Sequence, residues 1–171
     1  MIFFVIISCD QKNKTVIATT AEINKKDCLP QADTNRMYEY ILFGMFCGEC
    51  GSHCATMFQY NMIGNATTLL ADYTDSYFEH KDNVICKTPI KNVEKMHLAN
   101  SIVEKIPVQL LTTSQHRFGC PDCTDGCGIY FEFSLKGKVK KFTIDTETSK
   151  LSPDMKSFSE FLQELITEMK K

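Results

Sequence analysis

The sequence predicts an α+β fold: an antiparallel sheet built from two cysteine-loop ββα units, with two helices packed on one face. Three observations predict it. First, Cys47, Cys50 and Cys54 form a C-x2-C-x3-C cluster, and Cys120, Cys123 and Cys127 form a second with the same spacing. Residues 47–72 lie over 120–145 without a gap, so that Phe58 falls on Phe131, Gly64 on Gly137 and Asp72 on Asp145. Glu49 falls on Asp122, Gln59 on Glu132, Tyr60 on Phe133 and Met62 on Leu135. Second, apolar residues alternate after each cluster, as in a half-buried strand. Third, each alternating stretch is followed by apolar residues at helical spacing.

The elements follow in chain order. Tyr38-Glu39-Tyr40-Ile41-Leu42-Phe43 is rich in aromatic and β-branched residues and reads as a strand leading to the first cluster. After Cys54, Phe58, Tyr60 and Met62 alternate with Gln59 and Asn61, Gly64-Asn65 supplies turn chemistry, and Thr67–Ala71 returns as a strand. The second unit repeats this in Ile129–Leu135, a turn at Lys136-Gly137-Lys138, and Val139–Ile144. Asn92 is placed to cap a helix in which Val93, Met96, Ala99, Ile102, Val103 and Ile106 share a face, with Pro107 as its stop. Ser152 caps the second helix, Pro153 fits its first turn, and Asp154 suits the positive end of the dipole. Phe158, Phe161, Leu162, Leu165, Ile166 and Met169 then form one stripe. Residues 74–91 and 112–127 read as loops. Met37, Met45, Met57 and Met62 read as core or strand filler, and Asp72 and Asp145 as loop caps at matching strand ends.

Composition bounds the function. A chain of 171 residues suits one domain, and 43% apolar with 23% charged residues is ordinary for a globular protein. Net charge is −2 and the lysines are scattered, so no electrostatic footprint for nucleic acid exists. No Gly-rich phosphate loop, G-x-S-x-G elbow or H-E-x-x-H is present. Nine cysteines are the outlier.

Ile2-Phe3-Phe4-Val5-Ile6-Ile7 is an apolar run too short to span a bilayer, and it ends in Ser8-Cys9 before the polar stretch Asp10-Gln11-Lys12-Asn13-Lys14. Here the chain resembles bacterial lipoproteins, with Ile6-Ile7-Ser8-Cys9 similar to a lipobox. The resemblance implies a signal peptide over 1–8, removed by signal peptidase II, a lipidated tether over 9–14, and one globular domain over 15–171. Cys9 would carry the diacylglyceryl thioether, and each buried methylene of its chains adds about 0.8 kcal/mol of membrane affinity. No Lys or Arg precedes the apolar run, a departure that places the start of such a signal upstream of Met1. The rest of the chain resembles small uncharacterised envelope lipoproteins of Gram-negative bacteria, with Cys47-Gly48-Glu49-Cys50 and Gly119-Cys120-Pro121-Asp122 as the motifs. That resemblance implies the periplasmic or outer-surface side of a membrane, and no activity.

With Cys9 lipidated, Cys28, Cys47, Cys50, Cys54, Cys86, Cys120, Cys123 and Cys127 remain, an even number that suits full pairing in an oxidising envelope. Disulfide staples are the leading expectation. Eight cysteines allow 105 pairings; if the clusters pair with each other, Cys28 and Cys86 are left as a pair. The expected protein is then a non-catalytic binding or structural module, with a membrane and an unknown envelope partner, and no cofactor. Two alternatives stay open. Cys47, Cys50, Cys120 and Cys123 could supply four thiolates to Zn or Cu(I), with His53 and His116 as further ligands. Cys47/Cys50 could act as a thioredoxin-like nucleophile and resolving thiol, although the alternation after Cys54 leaves no room for the helix that would stabilise the thiolate. Asp122, Asp125 and Glu49 could hold a hard cation, but turn-forming is the commoner role of such aspartates.

Overall fold

The computed structural model describes residues 38–171 apart from 49, 65, 81, 82, 122, 124 and 125. The expected signal, tether, domain start, Cys9 and Cys28 lie outside the described residues, as do Glu49, Asp122 and Asp125.

Among the described residues, seven strands form one sheet. They are β1 (Tyr38–Cys47), β2 (Ala55–Ile63), β3 (Ala66–Asp72), β4 (Thr88–Ile90), β5 (Arg117–Phe118), β6 (Cys127–Leu135) and β7 (Lys138–Asp145), in the spatial order β4-β3-β2-β1-β6-β7-β5. Every pairing is antiparallel except β5 with β7. The helices are α1 (Ser76–Glu79), α2 (Val93–Lys105), α3 (Val108–Thr112) and α4 (Pro153–Lys170). The chain is therefore α+β with a mostly antiparallel sheet. The stretches read as loops hold α1, β4 and β5, each too short to carry a periodic signal.

Both expected hairpins form, β2–β3 and β6–β7, but they do not touch. β1 lies between them, and Phe43 stands opposite Phe58 on one side and Phe131 on the other. β6 in turn lies between β1 and β7, and its side chains are buried on both faces over Gly128–Ser134.

The inner face holds the main core. Phe43, Phe58, Phe131, Phe133 and Phe142 are all fully buried there, together with Ile41, Ile129 and Ile144. Each such side chain contributes about 1.5–3 kcal/mol relative to an exposed one. α2 and α4 cover this face, which is the one expected from Phe58, Tyr60, Phe131 and Phe133. Phe158 of α4 meets the edge of Phe131 at 5.0 Å between ring centroids. Ser159, outside the expected stripe, is fully buried because its hydroxyl donates to the Asp145 carbonyl at 2.8 Å.

The caps are partly as expected. The Asn92 side chain accepts from the Lys95 N–H at 3.0 Å. Val93, at the first helical position, is 64% exposed and off the apolar face. α2 ends at Lys105, and Pro107 becomes the N-cap of α3 instead of a bare stop. Ser152 stands at the α4 N-cap, but its hydroxyl makes no cap bond and accepts instead from Gln109 Nε2 at 3.5 Å.

Candidate functional site

Two places carry polar chemistry: the cysteine end of the sheet and its outer face. At the cysteine end, Cys47 closes β1 directly opposite Cys127, which opens β6. Their Cα atoms are 4.1 Å apart, and a disulfide joins them. The Cys47 N–H points the other way, donating to the Cys54 carbonyl at 2.8 Å, so towards β6 the pair is the close, non-hydrogen-bonded kind. Gly48 N–H donates to the Gly126 carbonyl at 3.4 Å, which brings the two cysteine loops side by side. Cys50 bonds to Cys54, and Cys120 to Cys123.

These bridges differ in what they hold. Cys47–Cys127 spans a sequence separation of 80, the others 4 and 3. In the chain-entropy account the long loop removes about 4.5 kcal/mol of unfolded-state entropy, and each short one only about 2. The first is a staple; the other two are local clips.

The clip at Cys120 is seated by its surroundings. Gly119 has φ +74, a conformation only glycine adopts freely, and a Cβ there would lie 2.5 Å from the Asp145 Cβ. That approach lets the Asp145 carboxylate accept from the Cys120 N–H at 2.6 Å and, through its other oxygen, from the Glu147 N–H at 2.9 Å. Asp72 holds the turn after β3 in the same way, accepting from the N–H and hydroxyl of Thr74 and from the Ser76 hydroxyl. Burial pushes the Asp72 carboxyl up, but the Ser76 and Thr74 hydrogen bonds together outweigh it and hold the group below its ordinary value. Both aspartates are loop caps, as their position at strand ends suggested.

The remaining candidates separate. The four sulfurs expected around a metal, Cys47, Cys50, Cys120 and Cys123, are divided among three disulfides. Among the described residues no group of three or more His, Cys, Asp or Glu is placed to hold a metal ion. Cys47 and Cys50, expected to face each other in the redox reading, have Cys127 and Cys54 as partners instead. His53 and His116 are exposed loop residues whose Nδ1 atoms lie 3.3 Å and 3.0 Å from the carbonyls of Tyr73 and Lys141. Cys86 is a buried thiol, free among the described residues, and burial followed by the Asp72 charge pushes its pKa up to about 12. Cys28, its expected partner, lies outside them.

The outer face has a second polar site. Its side chains form register rows across the sheet: Thr68, Asn61, Tyr40, Ser134 and Val139 in one, then Leu70, Gln59, Leu42, Glu132 and Lys141. Beyond these rows, Phe46, Met57 and Tyr130 are covered by Tyr77, Val84 and Cys86. Glu132 is 6% exposed. Tyr40 donates to one of its carboxylate oxygens at 2.5 Å, Tyr130 donates to the other, and Lys141 Nζ lies 3.4 Å away. Burial, then the hydrogen bond to Glu132, raises both phenols well above the ordinary tyrosine range. The signal for this cluster was present in the alternation of β6, since Tyr130, Glu132 and Ser134 interleave with Ile129, Phe131 and Phe133. An alternation that buries both sets hides which face is polar.

No protein-family model, no curated protein and no solved structure matches the chain.

Proposed function

We propose that the chain is an envelope lipoprotein, anchored through Cys9, whose stapled domain is a non-catalytic binding or structural module. The observation that carries this is the Cys47–Cys127 bridge across β1 and β6, with two further disulfides beside it. Bridges of this kind persist in oxidising compartments and are rare in a reducing cytosol. The lipobox resemblance at Ile6-Ile7-Ser8-Cys9 supplies the anchor.

The binding face of such a module is the uncovered part of the outer sheet, where Tyr40, Gln59, Asn61 and Lys141 offer hydrogen-bonding groups on adjacent strands. The two-unit ββα reading belongs here too. Its support is that each hairpin precedes a helix, and that Asp72 and Asp145 each accept an N–H two residues on. Two features differ between the units. Asp72 pairs with Met57 while Asp145 pairs with Gly128, and the cysteines at matching positions take unlike partners.

Peptide mapping of acyl-free protein exported to the periplasm tests the module. The expected result is Cys47–Cys127, Cys50–Cys54 and Cys120–Cys123 as the bonded pairs. Free thiols at these positions with bound zinc or copper would overturn it and favour the metal alternative. For the anchor, Cys9→Ala should move the protein from the membrane to the soluble fraction; unchanged partitioning would sink the lipobox assignment.

A further inference from the structure

The clip formed by Cys120 and Cys123 does little for the fold, and its surroundings suit a different task. It closes a sequence separation of 3, so opening it releases less than half of the chain-entropy constraint that the Cys47–Cys127 bridge supplies. Cys120 is exposed and Cys123 half-buried, so one sulfur is the open target. Pro121 between them is buried, and a Cβ on Gly128 would lie 2.7 Å from the Pro121 Cβ, which seats the turn on the end of β6. The Arg117 guanidinium donates to the Pro121 carbonyl at 2.8 Å and puts a cation on the turn. The Asp145 carboxylate sits on the other side, bonded to the Cys120 N–H. Cys120 is the more exposed of the two, so an incoming thiolate reaches it first and Cys123 is the thiol that leaves.

We propose that Cys120–Cys123 is a thiol-exchanging disulfide that accepts two electrons from an exposed dithiol on a partner polypeptide, an activity beyond the binding module. One partner thiolate attacks Cys120 Sγ; the bond to Cys123 Sγ breaks, and Cys123 departs as a thiolate that takes a proton from water. The partner's second thiolate then attacks the partner sulfur of the mixed disulfide, and Cys120 departs as the second thiolate and is protonated. The partner dithiol is oxidised to a disulfide, and Cys120 and Cys123 are reduced to two thiols. The step needs neither the Cys47/Cys50 pairing nor a thioredoxin fold. It needs an accessible cysteine and a fold that survives opening.

The test uses the oxidised full chain and one equivalent of dithiothreitol, quenched with iodoacetamide at intervals and mapped by mass spectrometry. Cys120 and Cys123 should be alkylated first, at least tenfold faster than Cys47 and Cys127. In a second assay, a reduced synthetic dithiol peptide is mixed with the protein. The wild type should oxidise about one equivalent, and the Cys120→Ser/Cys123→Ser variant should do so at least tenfold more slowly. Prior opening of Cys50–Cys54 or Cys47–Cys127, or a double variant as fast as the wild type, would overturn the proposal.

Discussion

Cys47 and Cys127 face each other at the ends of adjacent central strands, and their bond ties the first hairpin's side of the sheet to the second's. Because that bond closes a separation of 80 residues, it should dominate the disulfide contribution to stability. Replacing both by serine is expected to lower the unfolding free energy by about 4 kcal/mol in a urea titration, and the same change at Cys50 and Cys54 by about 2 or less. Equal losses at the two pairs would show that the long bridge is not the staple.

Gly44 is fixed by packing. It lies in β1 between Met57 and Tyr130, and a Cβ built on it would stand 2.2 Å from the Thr56 carbonyl oxygen and 2.4 Å from Met57 Sδ. The methionine tip can move aside; the backbone oxygen cannot without parting β1 from β2. Gly44→Ala should therefore destabilise by about 3 kcal/mol, at the upper end of overpacking effects. Thermal denaturation followed by circular dichroism measures this, and a midpoint within a degree of wild type would contradict it.

The inner face was legible in the sequence and the outer face was not. Phe58, Tyr60, Phe131 and Phe133 alternate cleanly, and the stripe from Phe158 to Met169 has one periodicity, so the sheet face and the helix that covers it follow from spacing alone. The position of β1 did not follow. Strand order depends on which edges meet, and nothing local in Tyr38–Cys47 says that both its edges are occupied. Among the cysteines, spacing marked the clusters but could not say that Cys47 reaches across to Cys127 while Cys50 and Cys120 pair at home. That choice is made by register, which sets Cys47 opposite Cys127. The tyrosine–glutamate cluster escaped because Tyr40 and Glu132 are 92 residues apart and meet only when β1 pairs with β6.

Acid should weaken the protein through Asp72. Its folded pKa is lowered, so the deprotonated form is the one the fold favours. The stabilisation is then fully present above the ordinary aspartate pKa of about 3.9, and it is lost as pH falls through the lowered folded value. Asp72→Asn keeps an oxygen for Thr74 but replaces the acceptor of the Ser76 hydroxyl with a donor. The variant should lose about 1–3 kcal/mol at neutral pH. Its stability should also fall less steeply than that of wild type between neutral pH and pH 3. Urea titrations across that range give both numbers, and parallel pH profiles would remove Asp72 from the account.

Glu132 orders the outer face through the two phenols that point at it. A carboxylate buried in a sheet needs donors, and Tyr40, Tyr130 and Lys141 supply them. Glu132→Gln keeps an acceptor for one phenol, brings an amide against the other, and removes the negative charge 3.4 Å from Lys141 Nζ. The expected cost is about 2–3 kcal/mol, the range for hydrogen bonds to a charged group. The titration consequence is more specific. Glu132 raises both phenols by hydrogen bond and by charge, so removing the charge should lower the pH at which Tyr40 and Tyr130 ionise. Ultraviolet difference titration at 295 nm, with Tyr40→Phe and Tyr130→Phe to assign the steps, follows this directly. A phenol spectrum that titrates identically in wild type and Glu132→Gln would mean the carboxylate does not govern the face.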